Sequence, residues 1–116
     1  MIIKNQKTSI YINKDKNINP DSFLFIHGFT GSHESWSEIR RNINNSSIVL
    51  DIPGHGKSTF VDLKEDYTYD DWCTDIFLIL RQLKINKINI CGYSMGGRLA
   101  LVFALKYPSF VNKIIL

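Results

Sequence analysis

The chain has 116 residues, a formal net charge of +3, 44% hydrophobic and 22% charged residues. That length holds at most one domain, and the balance is ordinary for a soluble globular protein. No basic run is longer than Arg40-Arg41, which excludes a nucleic-acid footprint, and no apolar stretch approaches the roughly 18 residues of a membrane span.

Ser9-Ile10-Tyr11-Ile12 reads as a short strand, ended by the Asn/Lys/Asp cluster 13 to 19, which predicts a hairpin turn. Phe23-Leu24-Phe25-Ile26 is continuously apolar, the pattern of a strand buried on both faces. It stops at His27-Gly28-Phe29-Thr30-Gly31-Ser32, a loop with two glycines. A helix is expected from about Glu34 to Ile43, where Trp36, Ile39 and Ile43 share one face.

Ile48-Val49-Leu50 is the next strand and runs into the loop Asp51-Ile52-Pro53-Gly54-His55-Gly56-Lys57-Ser58. Residues 59 to 67 read as polar linker. Thr68 and Asp71 then have capping-box spacing, and Trp72, Cys73, Ile76, Phe77, Leu80 and Leu83 form the apolar stripe of a helix. Lys87 to Cys91 is a strand, Met95 to Tyr107 a helix stopped by Pro108, and Val111 to Leu116 a further strand. This alternation predicts an α/β, doubly wound, mostly parallel sheet with helices on both faces.

Cys73 and Cys91 lack metal-ligand spacing and read as reduced, buried thiols. No residue pattern calls for a metal or a cofactor. The apolar run at Met1-Ile2-Ile3 is too short for a signal peptide, so the expected location is the cytoplasm or the interior of an organelle of bacterial origin.

In open α/β sheets, sites form at the carboxyl ends of the strands. Three strand ends here carry informative loops: 27–32, 51–58 and 92–97. The last, Gly92-Tyr93-Ser94-Met95-Gly96-Gly97, is G-x-S-x-G between a strand and a helix. Such a nucleophile elbow lifts the serine hydroxyl on a sharp turn, and its small residues let strand and helix backbones approach. Strand-His-Gly, then Asp-x-Pro-Gly-His-Gly-x-Ser, then G-x-S-x-G-G, in this order, is far more specific than any one of them.

On these motifs, from about Phe23 to Leu116, the chain resembles the N-terminal half of an α/β-hydrolase domain. Its elbow, continued as Arg98-Leu99-Ala100-Leu101, is similar to that of the menaquinone-pathway 2-succinyl-6-hydroxy-2,4-cyclohexadiene-1-carboxylate synthases, which eliminate pyruvate. The resemblance implies Ser94 as the catalytic serine. It implies the backbone N–H groups of Phe29 and Met95 as an oxyanion hole, and Arg98 and Tyr93 as contacts to a small carboxylate substrate. Arg98 lies one helical turn after Ser94, and its planar fork suits a carboxylate. His27 and His55 resemble structural histidines that bond loop backbone, Asp51 a loop-ordering carboxylate, and His33 a surface residue. Trp36 and Trp72 read as core or cleft wall.

Residues 95 to 116 contain no Asp, Glu or His. In this architecture the triad runs Ser, then Asp or Glu, then His. A whole domain of this type needs at least about 200–250 residues. The expectation is therefore a fragment: a truncated product, a split gene or a partial record, with pairing through the edge of its last strand. Three functions stay open: the pyruvate-eliminating enzyme, a generic carboxylic-ester or carbon–carbon hydrolase, and a non-catalytic remnant.

Overall fold

A computed structural model of the chain describes residues 1–62 and 66–116. The strands are β1 (Ile2–Lys4), β2 (Thr8–Lys14), β3 (Phe23–Ile26), β4 (Ser47–Leu50), β5 (Thr59–Phe60), β6 (Ile88–Gly92) and β7 (Val111–Ile115). The helices are α1 (Ser37–Asn42), α2 (Tyr69–Gln82) and α3 (Met95–Lys106). Among the described residues the sheet order is β1-β2-β4-β3-β6-β7, with β5 on β2. Strands β4, β3, β6 and β7 are mutually parallel, and β1, β2 and β5 pair antiparallel. The predicted α/β class and mostly parallel sheet are thus observed.

Alternation along the central strands builds two cores. Leu24, Ile26, Ile48, Leu50, Ile88 and Ile90 face α2 and α3, and pack with Trp72, Ile76, Leu80 and Phe103. Phe25 and Val49 face the other side, under Trp36. Helix α2 starts with the predicted capping box: the Asp71 N–H donates to Thr68 Oγ1, and the Thr68 N–H donates to Asp71 Oδ2.

Three expectations need correction. The segment after β2 is not a hairpin turn, because β2 pairs with β4 and not with β3. Asp15 steers it there: its N–H donates to Ser47 O at 3.0 Å, and its Oδ2 accepts from the Ser47 N–H at 2.8 Å. The helix expected from Glu34 begins instead as a 3-10 turn over His33–Trp36, capped by the Ser32 side chain, and Ile39 is left exposed. Finally, the linker reading of 59 to 67 misses β5, which completes an edge against Thr8 and Ser9, while residues 63–65 lie outside the described residues.

Candidate active site

The three loops meet at the carboxyl ends of β3, β4 and β6. Ser94 follows β6 directly and has φ 54° and ψ −115°. A non-glycine residue in that region costs about 1–3 kcal/mol and persists only where its surroundings impose it. They do so here. A Cβ on Gly92 would lie 2.3 Å from the Gly96 carbonyl oxygen, and a Cβ on Gly96 would lie 2.2 Å from that of Ile26. Strand and helix therefore touch backbone to backbone, and Ser94 is the residue pushed outward. Its side chain is exposed and caps no helix.

The His27–Ser32 loop leans on this elbow. The added Cβ of Gly28 would sit 3.0 Å from the Tyr93 ring and 3.4 Å from Ser94 Cβ, a tight fit that the tyrosine would have to ease. Thr30 holds φ 67°, and the Gly31 N–H closes the turn on Gly28 O. Neither the Phe29 N–H nor the Met95 N–H meets an acceptor among the described residues. These are two unpaired donors, one next to the serine in sequence and one in the loop whose Gly28 lies against it.

Two buried side chains hold the loops. His27 accepts the Ile52 N–H at Nε2 (2.9 Å), so its Nδ1 carries the proton donated to Gly28 O (2.7 Å). Burial lowers its pKa, and the imidazole stays neutral near pH 7. The Asp51 carboxylate accepts the N–H groups of His33 (2.6 Å) and Lys57 (2.8 Å) and lies 2.9 Å from His33 Nδ1. Burial alone would raise its pKa, but the Lys57 and His33 bonds outweigh it and hold the carboxyl below its ordinary value. His27 and Asp51 thus order loops, as their residue types and positions suggest. His33 is not a plain surface residue; it is a partner of Asp51. His55 packs its ring against His27 and Phe29.

The elbow divides two hollows. One, of about 350 Å³, lies under Phe29, Tyr93 and Trp36. The other, of about 420 Å³, is walled by Ile52, Pro53, Tyr67, Trp72, Met95 and Leu99. Both lie at the small end of the roughly 300–1,000 Å³ range of ligand sites. Arg98 is exposed, lines neither hollow and has no side-chain partner among the described residues. Tyr67 was hidden from sequence reasoning because it stands in a polar stretch with no periodicity. Its only signal is its place immediately before a helix cap.

Comparison with known proteins gives a consistent result. The family model described as alpha/beta hydrolase fold matches residues 21–116. A candidate 2-succinyl-6-hydroxy-2,4-cyclohexadiene-1-carboxylate synthase of Bacillus subtilis (strain 168) is 36% identical over 97 residues, which is 83% of this chain and 35% of that protein. Monoacylglycerol lipase ABHD6 of Homo sapiens is 33% identical over 99 residues, 82% of this chain and 29% of that protein. The crystal structure of MGS-M2, an alpha/beta hydrolase enzyme from a deep-sea metagenome library, superimposes with a TM-score of 0.86 at 29% identity. It covers 98% of this chain and 42% of that one. The chain therefore spans about a third of the length of the curated relatives it matches.

Proposed function

We propose, from the premise that this chain belongs to the alpha/beta hydrolase fold family, that it carries the serine half of a pyruvate-eliminating site of the succinyl-hydroxycyclohexadiene-carboxylate synthase type. The observation that carries this reading is Ser94 itself: exposed at φ 54° on the tight turn between β6 and α3. The subfamily rests on Tyr93-Ser94-Met95-Gly96-Gly97-Arg98 and on the Bacillus relative.

In this reading the Ser94 proton passes to a base, and the serine oxygen takes the acidic C–H proton beside a substrate carbonyl. The carbon electron pair then expels pyruvate as its enolate, which is protonated on release. The Phe29 and Met95 N–H groups would stabilise the negative charge that gathers on the carbonyl oxygen, at roughly 2.7–4 kcal/mol per donor. Arg98 would hold a substrate carboxylate with its planar fork, and Tyr93 would line the approach. Residues 95 to 116 hold no Asp, Glu or His, so acid and base would come from chain beyond these residues or from a partner chain.

A generic ester or carbon–carbon hydrolase is the second reading, supported by the apolar walls of both hollows and by the lipase relative. The test joins this chain to the C-terminal part of the Bacillus relative and measures pyruvate release beside nitrophenyl-ester hydrolysis. The synthase reading expects pyruvate release that Ser94→Ala abolishes. Ester turnover without pyruvate release selects the hydrolase. Absence of both, in a folded fusion, leaves the non-catalytic remnant.

A further inference from the structure

Among the described residues, a buried polar cluster centred on Asp75 lies outside the serine and its donors. Asp75, on α2, is only 5% exposed. Its Oδ2 accepts the Tyr67 hydroxyl at 2.5 Å and the Thr8 hydroxyl at 2.8 Å. Burial raises the pKa of Asp75, and burial with the Asp75 bond raises that of Tyr67, so the phenol remains a donor at any ordinary pH. The ring of Tyr67 is also braced edge-on by Phe60 of β5. An aromatic ring tied at its tip to a helix carboxylate that β2 also holds, and at its edge to β5, has little freedom to yield.

Tyr67 lines the 420 Å³ hollow together with Trp72 and Met95. We propose, resting on the roles of Ser94 and the Met95 N–H given above, that Tyr67 is a specificity-determining residue. Held by Asp75, which Thr8 anchors in turn, it bounds the size of the apolar group this hollow admits, with the ligand's charged end left outside. The chemistry that recognises such a ligand is apolar: the Trp72, Ile52, Pro53 and Leu99 surfaces exclude water, and the fixed phenol ring sets the depth.

The chain offers a separate reporter for each hollow. Its two tryptophans divide between them, Trp36 in one and Trp72 in the other. The Trp72 indole N–H donates to Leu99 O at 3.2 Å, which gives it a distinct chemical environment. The experiment titrates the 116-residue chain with cyclohexanecarboxylate and with the bicyclic decahydronaphthalene-2-carboxylate, following both indole N–H resonances by NMR.

Saturable movement of the Trp72 signal with the monocyclic acid, while Trp36 stays still, is expected in the wild type and equally in Ser94→Ala. Tyr67→Leu should shift the ratio of the two dissociation constants by about tenfold toward the bicyclic acid, since a few methylenes of pocket space are worth that much. Tyr67→Phe keeps the ring but loses its anchor, and should shift the ratio part of the way, about threefold. Should Tyr67→Leu lose its dispersed spectrum, Tyr67→Phe decides alone. A ratio unchanged within about twofold in the folded variants, no saturable shift, or movement of Trp36 instead overturns the proposal. A Tyr67 that merely supports the fold would lower stability and leave the ratio unmoved. Binding intact in Ser94→Ala, with no pyruvate released by the fusion, would remove the proposed reaction and leave the Tyr67 wall standing.

Discussion

Gly96 and Gly97 are neighbours in the first turn of α3, yet a methyl group should have opposite effects at the two positions. At Gly96 the new Cβ would fall 2.2 Å from the Ile26 carbonyl oxygen and 2.3 Å from that of His27. Both are backbone atoms of β3 and its loop, so neither can swing away. Overpacking against side chains costs about 1–3 kcal/mol, and a rigid backbone puts this site at or above the top of that range. At Gly97 the nearest atom would be the Gly92 carbonyl oxygen at 3.4 Å, an ordinary contact. There the helix preference for alanine acts unopposed, worth up to about 0.8–1 kcal/mol and less in a first turn. At about 4 °C per kcal/mol for a chain of this size, Gly96→Ala should lower Tm by at least about 12 °C or prevent folding. Gly97→Ala should raise Tm by about 1–4 °C. Thermal unfolding by circular dichroism reads both. A Gly96→Ala protein as stable as the wild type would show that α3 does not press on the β3 backbone, and the imposed geometry of Ser94 would lose one of its causes; a lowered Tm in Gly97→Ala would mean that its site is not open.

Other expectations follow from the same contacts. His27 has a depressed pKa in the fold, so its contribution to stability should be full above about pH 6.5 and fall away as the pH drops toward its folded value; His27→Leu should remove that slope and cost at least about 1–3 kcal/mol by orphaning the Ile52 N–H, both measurable by urea unfolding between pH 5 and 8. Asp51 is also depressed, so the stability it supplies should be present above about pH 4 and be lost as the pH falls through its lower folded value; Asp51→Asn should flatten the acid limb of the stability profile, and an unchanged limb would mean that its bonds to Lys57 and His33 are not maintained in solution. The 116-residue chain alone should show negligible ester hydrolysis and pyruvate release, and a Ser94-dependent rate within about tenfold of the fusion's would reveal a base within these residues. In the fusion, Arg98→Ala should lower kcat/KM for the polycarboxylate substrate by about ten- to hundredfold while sparing a neutral ester, and equal losses on both would make the arginine structural.

What the sequence could and could not announce follows from how far apart the interacting residues lie. The central strands and the helix start at Thr68 rest on local pattern: continuous apolar runs, a capping pair three residues apart, a proline stop. The elbow is legible for the same reason, because Gly92, Ser94 and Gly96 are required by a turn five residues long. The place of β2 beside β4 is not local. It depends on Asp15 meeting Ser47, which lies 32 residues away, and no periodicity reports that. His33 belongs with Asp51 across 18 residues, and Tyr67 and Asp75 join Thr8 across more than half the chain. Arg98 shows the converse. Its spacing from Ser94 places it one turn along the helix, but the walls of both hollows are built without it. Any contact it makes with a carboxylate therefore lies outside both hollows, on exposed surface where guanidinium is hydrated and a single pair is worth little. For Arg98 to discriminate among substrates, its surface must be covered by further polypeptide that excludes water. The Arg98→Ala measurement is thus a test of closure as much as of contact. A large, carboxylate-selective loss would require a covered site, and a small one would leave selection to the apolar hollows beside the serine.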